Sequence, residues 1–279
     1  MIIDSHTHAW EYWPYEPSVP DHESRGRAEN LLYEMDRHGV DQAVLVCARI
    51  DHNPNDNGYV AEVVKQYPDR FIQFADVDCS WMDSYHTPGA ADRLRQAAEK
   101  YQLRGFTHYL KSDFEWFASD EGIAFLEVAA ELKLIVSLAG GHQWQPALRE
   151  LATRFDTVTL LCHHMAGARV SNPQNLTEIV KSAKVPNISI KMSGFHYVSQ
   201  TSWEYPYPDT HDTVKELYDA FGPDRLCWGS DYPVVRSYMT YQHAIEVFRT
   251  HCDFIPEADR EKILGLSLKR FLDASGPSG

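Results

Sequence analysis

Eight short runs rich in apolar and β-branched residues recur along the chain, at residues 2–4, 43–47, 71–75, 103–106, 134–138, 158–162, 188–192 and 226–228. Between them lie stretches in which apolar residues return every three or four positions, the period of a helix with one buried face. The stretch 28–38 carries Leu31, Leu32 and Met35 and stops at Gly39, while 59–67 sets Val60, Val63 and Val64 on one face and ends before Pro68. The same period runs through 90–101, 120–132, 146–155, 176–183, 213–221, 241–251 and 257–271, with Gly222-Pro223 as a clear stop. Strict alternation of strand and helix predicts a parallel sheet. Eight strands in this length predict a single (β/α)8 TIM barrel over the alternative, an open doubly wound sheet. No linker or short repeat divides the 279 residues, so one domain over 1–279 is expected. Two aromatic-rich stretches, 10–27 and 195–210, are expected as long loops over the barrel mouth.

Composition changes this picture mainly by exclusion. A hydrophobic share of 43% and a charged share of 24% suit a globular chain with a large core. The formal charge of −14 repels phosphate backbones and anionic membranes. A small-molecule substrate is therefore the expected partner, with no nucleic acid and no membrane, and a homo-oligomer is left open. The first residues carry no basic, apolar leader, and no window approaches the ~20 apolar residues of a membrane span. Five cysteines, Cys47, Cys79, Cys162, Cys227 and Cys252, match no zinc or redox spacing. Reduced, buried thiols in a cytoplasmic chain are expected.

Candidate chemistry gathers at the ends of the predicted strands. His6-Thr7-His8 follows the first run, and residues two apart on an extended segment face the same way, so both imidazoles can converge on one point. Two neutral imidazoles suit a borderline divalent metal such as zinc. Gly229-Ser230-Asp231-Tyr232-Pro233 follows the eighth run, which is the first run's neighbour once a barrel closes. Asp231 is thus a candidate third metal ligand or a base for water, with a turn aspartate before proline as the plainer reading. His163-His164 follows the sixth run, and alternation along a strand predicts that only one of the pair points into the mouth. His108, Lys111, Lys191 and Arg236 also fall near strand ends and are candidates for holding a substrate.

These pieces look familiar together. Asp4-Ser5-His6-Thr7-His8, His164-Met165-Ala166-Gly167, Lys191-Met192-Ser193-Gly194 and Gly229-Ser230-Asp231-Tyr232-Pro233 resemble, in sequence and order, the amidohydrolase-related (amidohydrolase 2) family. The likeness extends through 57–78 and covers nearly the whole chain. The Lys-Met-Ser-Gly element is most similar to the branch of sugar lactonases and pyrone-dicarboxylate lactonases. The resemblance implies that His6 and His8 are the strand-one pair, that His164 is the sixth-strand histidine, and that Asp231 activates the attacking water. It implies a hydrolase of lactones or related esters of small polar compounds, with one divalent metal ion, zinc before others, or with none. Two departures stand out. Ser137 occupies the fifth strand where many metal-binding members carry histidine, and the fourth strand offers no lysine for a carbamylated two-metal bridge. The alternative reading, a metal-dependent non-oxidative decarboxylase or hydratase of an aromatic or muconate-type acid, is weakened by Ser137. A catalytically dead barrel that only binds is weakened by His6, His8, His164 and Asp231 being intact.

Overall fold

The computed structural model describes residues 1–111 and 113–276. Its strands are β1 (Ile3–Thr7), β2 (Gln42–Val46), β3 (Phe71–Asp76), β4 (Gly105–Tyr109), β5 (Ile135–Ala139), β6 (Leu160–Cys162), β7 (Ile188–Met192) and β8 (Leu226–Trp228). They pair in chain order, every pair parallel. The sheet comes round on itself just beyond β1 and β8: Asp231 N donates to His6 O at 2.8 Å, and His8 N to Tyr232 O at 2.6 Å. The result is a (β/α)8 barrel, and the open sheet is set aside.

The helices are α1 (Ala28–His38), α2 (Asp56–Gln66), α3 (Ala90–Tyr101), α4 (Asp120–Glu131), α5 (Gln145–Arg154), α6 (Pro173–Lys181), a single turn α7 (Phe195–Val198), α8 (His211–Phe221), α9 (Tyr241–Arg249), α10 (Glu257–Glu261) and α11 (Ser267–Ala274). The predicted segment 257–271 is interrupted by a π-helical turn at Lys262–Leu266. Strand residues alternate between two apolar layers. One layer packs under the helices. The other fills the barrel with Ile3, Val44, Phe74, Ile135, Leu161 and Cys227, and Leu268 and Leu272 of α11 belong to it. Among the described residues no helix is long and apolar enough to cross a membrane.

Two local features correct the expected register. The fourth strand runs over Gly105–Tyr109 rather than 103–106. Leu103 is still tied to the end of α3, its N–H donating to Ala98 O at 3.1 Å. The strand then starts where glycine is required: a Cβ on Gly105 would meet Phe74 Cζ at 2.6 Å and Ile135 O at 2.8 Å. In β1 the register shifts between Asp4 and Thr7, three residues opposing the two-residue step from Ala43 to Leu45. Such a bulge reverses the alternation. Ile3 fills the barrel below, and His6 and His8 also face inward above it.

Candidate active site

Asp4 locks the first strand to the loop after the eighth. Its buried carboxyl accepts from Ser230 N at 2.9 Å, His6 N at 3.1 Å and Tyr241 OH at 3.1 Å. Burial pushes this carboxyl up to about 6 despite those bonds. The lock sets Asp231, in the left-handed region at φ 65°, against the two strand-one histidines. His6 Nε2 and His8 Nε2 lie 3.6 and 3.5 Å from Asp231 Oδ1.

The tautomer of His8 follows from its other nitrogen. Nδ1 lies 2.7 Å from Val46 O, and a carbonyl only accepts, so Nδ1 carries the hydrogen. The ring is fixed further by stacking on Trp10, with centroids 4.8 Å apart. With its hydrogen on Nδ1, an uncharged ring here turns a lone pair towards the carboxylate oxygen. His6 Nε2 is buried and has no hydrogen-bond partner among the described residues. Two imidazole nitrogens and one carboxylate oxygen facing a common point call for a cation there. His6, His8 and Asp231 present their ligand atoms within 4.8 Å of one another, a set that suits one divalent ion such as zinc.

The sixth strand delivers more than alternation predicts. It ends at Cys162, and His164, Met165, Ala166 and Gly167 all have positive φ, so the strand rule no longer applies beyond it. His163 and His164 both line the cleft above the barrel. His164 Nδ1 lies 3.0 Å from Ser193 Oγ. Its neighbour Gly194 sits at φ 71°, where a Cβ would meet Tyr197 Cδ2 at 2.6 Å and His164 Nδ1 at 3.0 Å. Bare backbone at 194 thus lets Tyr197 and His164 close on Asp231, and Tyr197 OH donates to Asp231 Oδ2 at 3.0 Å.

Beneath this lies a fully buried polar chain. Lys191 Nζ donates to Ser137 Oγ at 2.7 Å and lies 3.1 Å from His6 Nδ1, and Ser137 Oγ lies 2.7 Å from His163 Nε2. Burial lowers the Lys191 amine to about 7. Burial and then the Lys191 charge hold His6 and His163 well below the usual histidine range, and burial takes His164 to about 4. For Asp231, burial acts upward, but His164, His8 and His196 around it hold the carboxyl below its ordinary value. At neutral pH the site therefore holds an ionised Asp231 beside the uncharged imidazoles of His6, His163 and His164.

The cleft measures about 370 Å³. The structure brings His8, His164 and Asp231 together in this cleft, with His6 and the buried Lys191 directly behind them. The other three candidates lie elsewhere. His108 is inside β4 on its outer face, its ring 5.4 Å from Phe125 of α4 and its Nδ1 3.0 Å from Val77 O. Lys111 is exposed, its amine over the Tyr85 ring. Arg236 reaches Asp21 at 3.7 Å and ties down the loop after β1. The cleft is lined instead by Tyr15, Tyr109, Tyr197 and Arg169, whose guanidinium donates to Tyr197 O. Tyr109 escapes sequence reading because the fourth strand was expected to end at 106. Arg169 lies past the left-handed turn, where no period applies.

The amidohydrolase family matches over residues 3–271. An L-fucono-1,5-lactonase of Burkholderia ambifaria is 25% identical over 99% of this chain and 97% of its own. Among solved structures, an amidohydrolase of Burkholderia multivorans with bound zinc superposes with a TM-score of 0.77 at 20% identity, covering 99% of this chain and 100% of its own. A probable 2-pyrone-4,6-dicarboxylic acid hydrolase of Acinetobacter baumannii, with citric acid bound, gives 0.76 at 19% identity, covering 98% and 99%.

Proposed function

The chain belongs to the amidohydrolase family, and from that premise we propose that it opens a lactone, or a related ester, of a small hydroxylated or carboxylated compound. The observation that carries this reading is the convergence of an ionised Asp231 with His6 and His8 on the cleft floor. The similarity to an L-fucono-1,5-lactonase supports it.

In this mechanism Asp231 takes a proton from a water held beside it while the water oxygen bonds to the lactone carbonyl carbon. The carbonyl π pair moves onto its oxygen. When the intermediate collapses, the ring C–O bond breaks and Asp231 returns its proton to the departing alkoxide. Tyr197, donating to Oδ2, holds the carboxylate in orientation and leaves Oδ1 turned towards the histidines. His164, anchored through Ser193, faces the same cleft. His6, His8 and Asp231 are the residues that would hold a divalent ion, and such an ion would polarise a carbonyl and make a water more acidic. Arg169 and the tyrosines at the cleft wall are placed to read carboxylate or hydroxyl groups of the substrate. The free, buried cysteines support a cytoplasmic location.

Ring opening releases an acid, so a pH-indicator assay reads it directly. Purified enzyme, with and without added zinc, is expected to turn over L-fucono-1,5-lactone or another sugar 1,5-lactone well above the background rate. Inertness towards sugar lactones and 2-pyrone-4,6-dicarboxylate alike, with release of carbon dioxide from a hydroxybenzoate, would replace this reading by the decarboxylase one.

A further inference from the structure

We propose that His163 is a further catalytic residue, its Nδ1–H donating a hydrogen bond to the substrate carbonyl oxygen as negative charge gathers there. The identity of that oxygen rests on the lactone reading above. The donor rests on hydrogen-bond polarity alone.

Four side chains form a line inside the barrel: His6 Nδ1, Lys191 Nζ, Ser137 Oγ and His163 Nε2, with steps of 3.1, 2.7 and 2.7 Å. An ammonium has only hydrogens to offer, so a charged Lys191 donates both to Ser137 and to His6 Nδ1, and the latter bond moves the hydrogen of an uncharged His6 to Nε2. Ser137 Oγ is buried and bonds only Lys191 and His163 among the described residues, so its own hydrogen goes to His163 Nε2, which is then the unprotonated nitrogen. Accepting from both sides would bury the hydroxyl hydrogen without an acceptor. An uncharged Lys191 can do the same while accepting from His6 Nδ1–H, which keeps the His6 Nε2 lone pair available beside Asp231. The opposite polarity requires an uncharged lysine that donates to His6 Nδ1. It places a hydrogen on His6 Nε2 and removes that atom from the His6, His8 and Asp231 ligand set. Every arrangement that keeps this set intact and gives the serine hydrogen an acceptor leaves His163 with Nδ1–H.

That atom is buried and has no hydrogen-bond partner among the described residues. Its ring lines the cleft together with His164 and Asp231, and its centroid is 4.5 Å from that of His6. A buried donor without a protein acceptor, fixed from behind by a serine, is what an oxyanion site needs. No proton is transferred by His163. The electron pair displaced from the carbonyl stays on the oxygen until the ring C–O bond breaks, and the hydrogen bond strengthens meanwhile.

Two measurements test this separately. In 15N-histidine-labelled wild-type protein, two-bond 1H–15N correlations give each ring's tautomer, and the His163 resonances are those missing from His163→Leu. The Nδ1–H form is expected; the Nε2–H form overturns the proposal whatever the substrate. Kinetics follow on the sugar lactone that the wild type hydrolyses best. His163→Leu should lower kcat by about 10²–10³-fold with KM changed little, the usual effect of losing one such donor. His163→Asn, whose amide nitrogen falls near Nδ1, should stay within about tenfold of wild type. Zinc bound per chain should match wild type in both variants, with folding checked by circular dichroism. Equal losses in the two variants, or loss of zinc along with activity, would make His163 a structural residue or a metal ligand instead. A wild type inert towards lactones would remove the proposed function before any variant is made, while the tautomer still decides the donor.

Discussion

At the scale of single residues the cleft floor rests on one carboxylate, and Asp231→Asn is the direct probe of it. Asparagine keeps the shape and can still accept from Tyr197, but it takes no proton at neutral pH. Turnover of a lactone is expected to fall on the order of 10²–10⁴-fold with the thermal midpoint nearly unchanged. Near-normal turnover would exclude Asp231 as the base. His8→Asn should lower zinc content and activity together, since its Nε2 is one of the ligand atoms, and an unchanged zinc stoichiometry would sink that role. His6 and His8 were legible in the sequence because two residues apart on a strand means one shared face, although the bulge decides which face. His163 was not fully legible. The alternation that placed one histidine outside ends with β6 at Cys162, and backbone at positive φ follows immediately after. His108 shows the converse: a histidine beside a strand end whose ring turns outward onto Phe125.

At the scale of elements, the runs and helical periods identified all eight strands, and 28–38 and 90–101 coincide with α1 and α3. Boundaries moved where a side-chain contact, rather than hydrophobicity, fixes the start of an element. The second helix begins at Asp56 instead of 59 because that carboxylate accepts from Ala48 N at 2.8 Å. The fourth strand moved because Gly105 is the residue that fits between Phe74 and Ile135. Gly105→Ala should therefore be costly although glycine to alanine is small. The added Cβ meets backbone oxygen as well as a ring, so the strand must shift, at roughly 1–3 kcal/mol for an overpacked core. Denaturant melts of the two proteins would read this as a lower midpoint at unchanged slope. Equal midpoints would mean that β3 and β5 yield freely and that the glycine does not set the register.

At the scale of the whole molecule, the predictions concern bulk chemistry. All five cysteines are buried and unpaired, so thiol titration in denaturant without reductant should find five, and three or one would reveal a disulfide. Acid stability follows from His108, which is fully buried, donates its Nδ1–H to Val77 O at 3.0 Å, and has its Nε2 3.2 Å from His86 Nε2. Burial lowers it to about 4 and also lowers His86. In the unfolded chain such a histidine titrates near 6.5. Between those values the unfolded chain binds a proton that the folded chain refuses, so stability is complete above about 6.5 and is lost as pH falls towards 4. For His108 alone the loss is on the order of 3 kcal/mol once the pH is below about 4. His108→Asn removes the titration while keeping an amide whose nitrogen falls near Nδ1 and can donate to Val77 O. Its packing against Phe125 is poorer, so the variant should be less stable than wild type at pH 7.5. The difference should shrink by pH 4.5, because only the wild type pays for refusing the proton. Chemical melts of both proteins at the two pH values measure this difference of differences, in which the background of other titrating acids cancels. A gap of equal size at both values would show that His108 is protonated as readily inside the fold as outside it, and the aromatic layer behind the fourth strand would then be open to water.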